Sequence, residues 1–516
     1  MTVSSRKMSV KKEQNDKNQE NNGSTFEEAV EATGFGKFNF LMISLIVPSA
    51  WAIQFETSNM SYVFPVAQCD LNLTMNHKGF LNAATYAGML VGCFVWGILT
   101  DKFGRKRVLT CGYSLNFIVA LMCVLTQNFI MILTLKIISG FLINGPSNAL
   151  AAYISEVHTT KYRSRMQMFL GFTYGAGNIC LPAIASLILP QDIHFTLFNG
   201  YFVFHSWNLF ILASASASLS AAIGLLFMPE SPKYYMSKGD NEKALKVFRY
   251  MYRLNTGNPK DSFPITKLTQ ENPTIKEEVT DQEGQSNSIL LIFKPPYLKN
   301  LLILCVMNFS LVTSVNTLRL WMPQILQGIH EYQLAHNGSS TSFCEVMKDM
   351  NSVEQEDLVN CIVNSNDNQD VYFKSMIIGA VAMISYSVAI VTVNHFEKRR
   401  LIAILGAIAG TIITCVFLSQ DTPTILGLVS SGLAMINVSI DVMITILVVI
   451  FPTSMRGTAL SLSSMFGRSG SLVGNILFPV LLKTGCKPPF FLLGSIIVGS
   501  TLMGLLLPRI SSKTIA

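Results

Sequence analysis

The chain has 516 residues, of which half are hydrophobic and only 13% charged, and its mean hydropathy is +0.41. A water-soluble globule of this make-up would leave large apolar areas exposed, so the composition excludes that class and favours the bilayer as solvent. The net charge of +7 does not indicate nucleic acid, because the Lys and Arg residues sit in short clusters beside apolar runs, as the positive-inside rule describes.

Residues 1–36 are polar, carry Arg6, Lys7, Lys11, Lys12 and Lys17, and lack the apolar core of about 7–15 residues that a signal peptide needs. They are expected to form a disordered cytosolic tail. A hydrocarbon core of about 30 Å requires about 20 apolar residues in a helix, since in lipid every backbone polar group must be satisfied within the chain. Runs of that length occur at 38–60, 79–100, 108–126, 129–152, 167–189 and 206–228, and again at 298–322, 374–393, 400–418, 423–447, 458–482 and 488–508. The expectation is an all-α membrane protein with a bundle at 37–228, a cytosolic linker at 229–297, a second bundle at 298–508 and a cytosolic tail at 509–516.

Short loops rich in Lys and Arg follow spans two, four and eight: Lys102, Arg105, Lys106 and Arg107; Lys161, Arg163 and Arg165; Lys398, Arg399 and Arg400. These loops and both termini are expected in the cytosol. The alternate loops are poor in cations, and the longest, 328–372, is acidic and contains Cys344 and Cys361, for which a luminal disulfide is expected. Asn72 and Asn337 begin glycosylation sequons on the same side. The ten cysteines show no close metal-type spacing, and neither a metal nor a cofactor is expected.

In the linker, Ser231-Pro232 is a helix start. Ala244, Leu245, Phe248, Met251 and Tyr252 then recur at helical spacing before Gly257, which predicts an amphipathic helix beneath the bundle.

Two landmarks repeat along the chain. Asp101-Lys-Phe103-Gly104-Arg105-Lys106-Arg107 after span two matches Asn394-His-Phe396-Glu397-Lys398-Arg399-Arg400 after span eight, and Thr160-Lys-Tyr-Arg163 matches Thr453-Ser-Met-Arg456. Asp101 and Asn394 are 293 residues apart, as are Arg163 and Arg456. One offset for two landmarks implies duplicated six-helix halves related by an axis along the membrane normal, an architecture suited to alternating access. Asp101, Arg105, Glu156 and Arg163 are read as a cytosolic gate, with Arg456 as the counterpart in the second half.

Ionisable groups inside a bilayer are costly and mark a cavity or a partner. Glu56, Lys136, Arg319, Asp441 and Arg468 are such groups. Asn437, Asp441 and Thr445 follow Ser430 on one face of span ten, a stripe expected to line the pore. Glu56 shares a face with Ser49 and Asn59, a constellation suited to a cationic or hydroxylated solute or to a proton, while Gln54 falls on another face. Arg319 and Trp321 lie near the predicted outer end of span seven, where snorkelling and an aromatic belt compete with solute contact. Lys136 and Arg468 read as structural. Gly88 and Gly92, Gly171 and Gly175, and Gly470 and Gly474 form small-xxx-small pairs for close helix packing.

The segment Gly97 to Arg107 resembles the signature of the major facilitator superfamily. Glu156 with Lys161 and Arg163, and Pro229-Glu230-Ser231-Pro232-Lys233, resemble its sugar-porter and organic-ion branches, which implies that Glu230 joins the gate; Lys233 stands where those branches have Arg. Cys69-Asp70-Leu71-Asn72-Leu73, Leu320-Trp321-Met322-Pro323 and Met465-Phe466-Gly467-Arg468 are similar to the synaptic vesicle glycoprotein 2 family, especially its insect members. The resemblance implies a twelve-helix transporter in the plasma membrane or a secretory vesicle, moving a small organic solute with a coupling proton or cation.

Val449 replaces an acidic residue of the related transporters, and Asn394 and Glu397 replace Asp and Gly. These departures weaken the charge relay of the second half and leave two alternatives, a facilitator without ion coupling or a vesicle glycoprotein that moves nothing and acts through protein partners at its luminal loop or cytosolic tail. An enzyme is not indicated, since no nucleophile-base pair, phosphate-cradling loop or metal-ligand cluster occurs at usable spacing.

Overall fold

Side-chain caps set where several of the long helices begin: Thr74 accepts from the backbone N–H of His77, Asn128 from Ile130 and Asp421 from Thr424. The computed structural model describes residues 23–197, 202–269, 291–336, 342–348, 369–392 and 396–508. The first six long helices are α2 (Lys37–Ala67), α3 (Met75–Phe103), α4 (Arg105–Val124), α5 (Phe129–Val157), α6 (Thr160–Ile188) and α7 (Ser206–Leu226), preceded by the short α1 (Phe26–Ala32). Two smaller helices, α8 (Pro232–Ser237) and α9 (Asn241–Thr256), follow. The second six are α10 (Tyr297–Ala335), α11 (Gln369–Thr392), α12 (Lys398–Cys415), α13 (Thr422–Ile450), α14 (Thr453–Thr484) and α15 (Lys487–Met503). Among the described residues eleven of these are long and apolar enough to cross a bilayer, and α3, bent by 55° between Cys93 and Val95, makes the twelfth. The chain is a multi-pass membrane protein.

The two halves repeat each other's packing. In the first, α3 packs on α5, α4 on α5 and α7, and α2 on α6 and α7; the second repeats each pair eight elements later. Between the halves, α3 packs on α14 and α6 on α11, two interfaces that a twofold axis exchanges, while α2 meets its own equivalent α10. Each half has its own hydrophobic core.

Three sequence expectations are corrected. The N-terminal segment is folded from residue 23: Thr25 caps α1, Ser24 bridges to Leu268, and Phe26, Ala29 and Val30 are buried. The reason is a second amphipathic face, because Phe26 packs on Phe248 of α9, whose Ala244, Val247 and Met251 are buried with it. Gly257 closes α9 in the left-handed conformation at φ 79°.

Secondly, α10 continues through Pro323 to Ala335, well past residue 322, because Ile325, Leu326 and Ile329 remain buried beyond the proline. Arg319 and Trp321 therefore lie well inside the helix and not at an outer end. Thirdly, Cys344 is bonded to Cys486 and not to Cys361, which lies outside the described residues, as do Asn337 and Asn394. Packing decides this pairing: Phe343 lies edge-on to Phe490, and its N–H donates to Ser419 O, which sets Cys344 beside the start of α15 with Cα atoms 5.2 Å apart. Cys69 is also disulfide-bonded.

A small hairpin, β1 (His194–Leu197) against β2 (Phe202–His205), joins α6 to α7. Asp70 ties it down, accepting from Trp207 Nε1 at 2.7 Å and lying 3.2 Å from His205 Nδ1. Asn72 is exposed in a tight turn at φ 48°.

Candidate functional site

A cavity of about 140 Å³ lies between the halves, walled by α2 and α6 from the first and by α10, α11 and α13 from the second. Its volume is below the about 300–1,000 Å³ of drug-sized sites. Gln54 of α2 donates to Asn178 Oδ1 of α6 at 2.6 Å. From α10, Arg319 donates to Asn316 Oδ1 at 3.0 Å, to Tyr86 OH at 3.2 Å and to Asn178 Oδ1 at 3.5 Å. Asn316 is itself held by its donation to Ser471 Oγ at 2.8 Å. Tyr62, Tyr174, Ser375, Tyr386 and Asn437 complete the polar wall, and Val315, Met322 and Ile378 are among its apolar part.

Of the residues expected from the sequence to contact a solute, Arg319 and Asn437 line this cavity. Asp441 follows one turn after Asn437 on α13; its side chain is exposed, and it influences Tyr386 of the cavity wall electrostatically. Thr445, a further turn on, donates to Asp441 O within its own helix, and Ser430 is turned onto Gly427 O. Trp321 is buried in the second half against Phe478, with its ring nitrogen unpartnered.

Glu56 and Asn59 are inside the first half instead. Glu56 Oε1 lies 2.6 Å from Lys136 Nζ, which also donates to Asn59 Oδ1 at 3.0 Å, and Asn59 donates to Ser214 Oγ at 3.2 Å. Glu56 is thus the counter-ion of Lys136, and the two are 5% and 1% exposed.

The sequence set Gln54 aside as lying on another face from Glu56, and Asn178, Asn316 and Tyr386 were not singled out. Each is an uncharged polar residue in an apolar span, and ranking by formal charge passes over such residues. Gly175 was read as a packing glycine; it lines the cavity, facing Met383 of α11. The other small-residue pairs pack within their halves, Gly88 on the Ile137 backbone and Gly470 on Phe309.

Toward one face the halves are joined. Lys78 donates to Gln324 Oε1 at 3.1 Å and to Gln68 Oε1 at 2.8 Å, Tyr62 contacts Tyr372 with ring centroids 6.3 Å apart, and Gly79 and Gly379 admit the backbones of Asn475 and Asn178. A Cβ on Gly379 would come within 2.8 Å of Asn178 O. Toward the other face, where the basic motifs lie, the last hydrogen bonds between the halves among the described residues run from Arg468 to Cys93 Sγ at 2.7 Å and to Asn148 Oδ1 at 3.2 Å. Asn148 is nine residues short of the end of α5, about 13 Å at helical rise.

On this basic face the ion pairs among the described residues all lie within one half or between it and its flanking segments. Arg105 Nε lies 3.2 Å from Glu156 Oε2 and Arg105 Nη2 lies 3.6 Å from the exposed Asp101; Glu156 accepts from Ser231 Oγ at 2.5 Å. The start of α4 is capped by Glu230, whose carboxylate accepts from the backbone N–H of Lys106 and Arg107. Gly104, at φ 98°, makes the room: a Cβ there would lie 2.5 Å from the Glu230 carboxylate. Arg163 is not in the Glu156 network; it pairs with Glu27 of α1 at 2.9 Å and donates to Ser155 O. Beside it His158 is buried with Nδ1 2.8 Å from Ile154 O, and burial holds its pKa below the ordinary histidine value. In the second half Glu397 pairs with Arg399 and Arg400, and Arg456 forms no ion pair among the described residues.

Residues 9–331, more than half of the chain, match the family described as "Sugar (and other) transporter". The chain belongs to the sugar (and other) transporter family. Its curated relatives include synaptic vesicle glycoprotein 2B of Rattus norvegicus, 27% identical over 325 residues that make up 58% of this chain and 47% of that protein. Synaptic vesicle glycoprotein 2C of Mus musculus is 26% identical over 333 residues, 60% of this chain and 45% of the other. The chain spans about half the length of the curated relatives it matches.

Among solved structures, this transporter-family chain is similar to the partially occluded inward-open conformation of the xylose transporter XylE from E. coli. The TM-score is 0.64 at 16% identity, covering 91% of this chain and 98% of that one. The proton:xylose symporter XylE bound to 6-bromo-6-deoxy-D-glucose matches with a TM-score of 0.64 at 17% identity, covering 92% and 96%. At these identities the likeness establishes the fold, the twelve-helix major facilitator architecture with two pseudo-symmetric halves.

Proposed function

We propose that the chain carries a small organic solute across the membrane by alternating access, with the central cavity as its binding site. One observation carries this reading: a polar cavity lies between two bundles that are joined on one side and, among the described residues, free of hydrogen bonds to each other near the opposite face. Rocking of the halves about the cavity would exchange its exposure, as in other folds built from repeats. Membership of a transporter family supports it.

The face bearing Arg105, Arg163, Lys398 and Arg456 is assigned to the cytosol from the Lys and Arg bias, with both termini on that side, so the conformer described is inward-open. Asp101, Arg105, Glu156, Arg163, Glu230 and Arg456 form the gate in this reading, and they would re-pair between the halves when the cytosolic side closes. Asp441, on the open route, is the group placed to take a coupling proton. The relatives' names favour a vesicle membrane.

Purified protein in proteoliposomes, given a panel of sugars, organic anions, organic cations and amino acids, tests the reading. Saturable flux weakened at least tenfold by Asn178→Ala or Gln54→Ala is the expected result. Absence of saturable flux for every class, from protein shown to be folded, would overturn it.

A second reading, a vesicle glycoprotein acting through protein partners, is favoured by the lone Arg456, whose first-half equivalent Arg163 is paired. In that case deleting residues 349–368 abolishes partner recovery, and no solute is moved.

A further inference from the structure

On the reading that the cavity is the transport site, its charge balance narrows the class of solute. Arg319 lines the cavity with a guanidinium that is charged at any accessible pH. Its three hydrogen bonds all go to neutral oxygens, those of Asn316, Tyr86 and Asn178. Its Nε is buried with no acceptor, and among the described residues it has no carboxylate within ion-pair distance. A cation held in a bilayer interior without a counter-charge is costly, and proteins keep such groups paired unless something else supplies the charge.

The neighbouring ionisable groups do not supply it. Glu56 is already neutralised by Lys136 at 2.6 Å. Asp441 lies on α13 toward the open face and makes no ion pair among the described residues. Arg468 adds a second cation, which among the described residues donates to Cys93 Sγ and Asn148 Oδ1 and makes no ion pair, and it influences the cavity residue Tyr174 electrostatically. Among the described residues the cavity and its approach therefore carry two cations without an ion pair, Arg319 and Arg468, and one carboxylate, Asp441.

We propose that the cavity binds a small organic monocarboxylate, with Arg319 as the counter-ion of its carboxyl group. The Nε–H and one N–H of Nη1 have no acceptor among the described residues, and these are the guanidinium donors left for a carboxylate. Asn316 and Tyr86 hold the guanidinium from one side, and Val315, Met322 and Ile378 provide an apolar wall for the organic body. The volume of about 140 Å³ keeps the solute small. The negative charge of Asp441 on the entry side disfavours a second carboxylate.

The test is binding to the full-length purified protein, measured by calorimetry, with acetate, L-lactate, benzoate and nicotinate as probes. Benzamide and nicotinamide serve as neutral twins of the last two, and D-xylose as a neutral hydroxylated control. Benzoate or nicotinate is expected to bind at least tenfold tighter than its amide. Arg319→Gln should erase that preference, and Arg319→Lys, which keeps the charge and loses the guanidinium donors, should leave an intermediate one. Thermal unfolding of each variant shows whether it is folded, and Tyr86→Phe, which removes a single hydrogen bond to the guanidinium, should weaken anion binding in a protein of near-parental stability.

Amides or D-xylose binding as well as the anions, no monocarboxylate binding at all, or a preference unchanged in folded Arg319→Gln would each overturn the proposal. The outcome separates from that for transport. Anion binding without flux sustains this site and removes the transport reading, whereas saturable xylose flux without anion binding does the reverse.

Discussion

Lys136 Nζ and Glu56 Oε1 are 2.6 Å apart in the middle of the first half, and Asn59 and Ser214 extend the contact so that α2, α5 and α7 are tied at one depth. Removing one partner of such a pair strands the other charge in a low-dielectric interior, at a cost of about 3–5 kcal/mol, whereas removing both charges costs much less. Lys136→Met and Glu56→Gln are each expected to lower the thermal midpoint sharply in detergent, and the double variant to recover most of the loss. Single variants as stable as the parent would show that the pair contributes nothing.

The seal on one face and the opening on the other predict a pattern of reagent access. With the free cysteines replaced, Asp441→Cys should react with a membrane-impermeant thiol reagent added from the basic face, and Ser375→Cys should not react from the opposite face. Adding Gly379→Val, whose side chain cannot fit against the Asn178 backbone, should part α6 from α11 and expose Ser375→Cys. A protected position 441 together with a reactive position 375 would mean that the openings are reversed.

The Cys344–Cys486 bond predicts one cross-linked peptide pair on non-reducing digestion, joining the segment before α11 to the start of α15. Cys344→Ser should lower stability by about 2–4 kcal/mol, the usual range for a native disulfide. Recovery of Cys344 linked to Cys361 would contradict the pairing described.

His158 makes stability depend on pH. Burial holds its folded pKa below the ordinary value of about 6.5, and its Nε2 has no acceptor for a second proton. The unfolded chain therefore binds the proton more readily than the folded one. The contribution of neutral His158 is complete above about pH 6.5 and is lost as pH falls from there toward the folded pKa. The thermal midpoint should drop between pH 7.5 and 5.5, and His158→Gln should flatten part of that drop; identical slopes for the two proteins would exclude the effect.

The span pattern was legible because a helix in lipid must be apolar over its whole length, and the duplication because two landmarks kept one spacing. The amphipathic α9 was legible from Ala244, Phe248 and Met251, but its cover by α1 was not, since the polar composition around Phe26 concealed the matching apolar face. Arg105 and Glu156 were read as one charge network from the repeated basic motifs, and the place of Glu230 beside them followed from the resemblance. The pairing of Arg163 with Glu27 did not, because it depends on where the N-terminal segment folds back.

The amino-acid sequence by itself determined that the chain spans a membrane, how many times it crosses, and that its halves repeat, because these depend on apolar length and spacing along one dimension. Only the tertiary structure decided which polar groups meet. Glu56 and Lys136 are 80 residues apart and neutralise each other, while Arg319 is left facing Asn178 and Tyr86 without a counter-charge, and no local pattern records which helix faces which. In a bundle, burial of charge is settled by contacts between distant segments, so a residue's role depends on its neighbours in space.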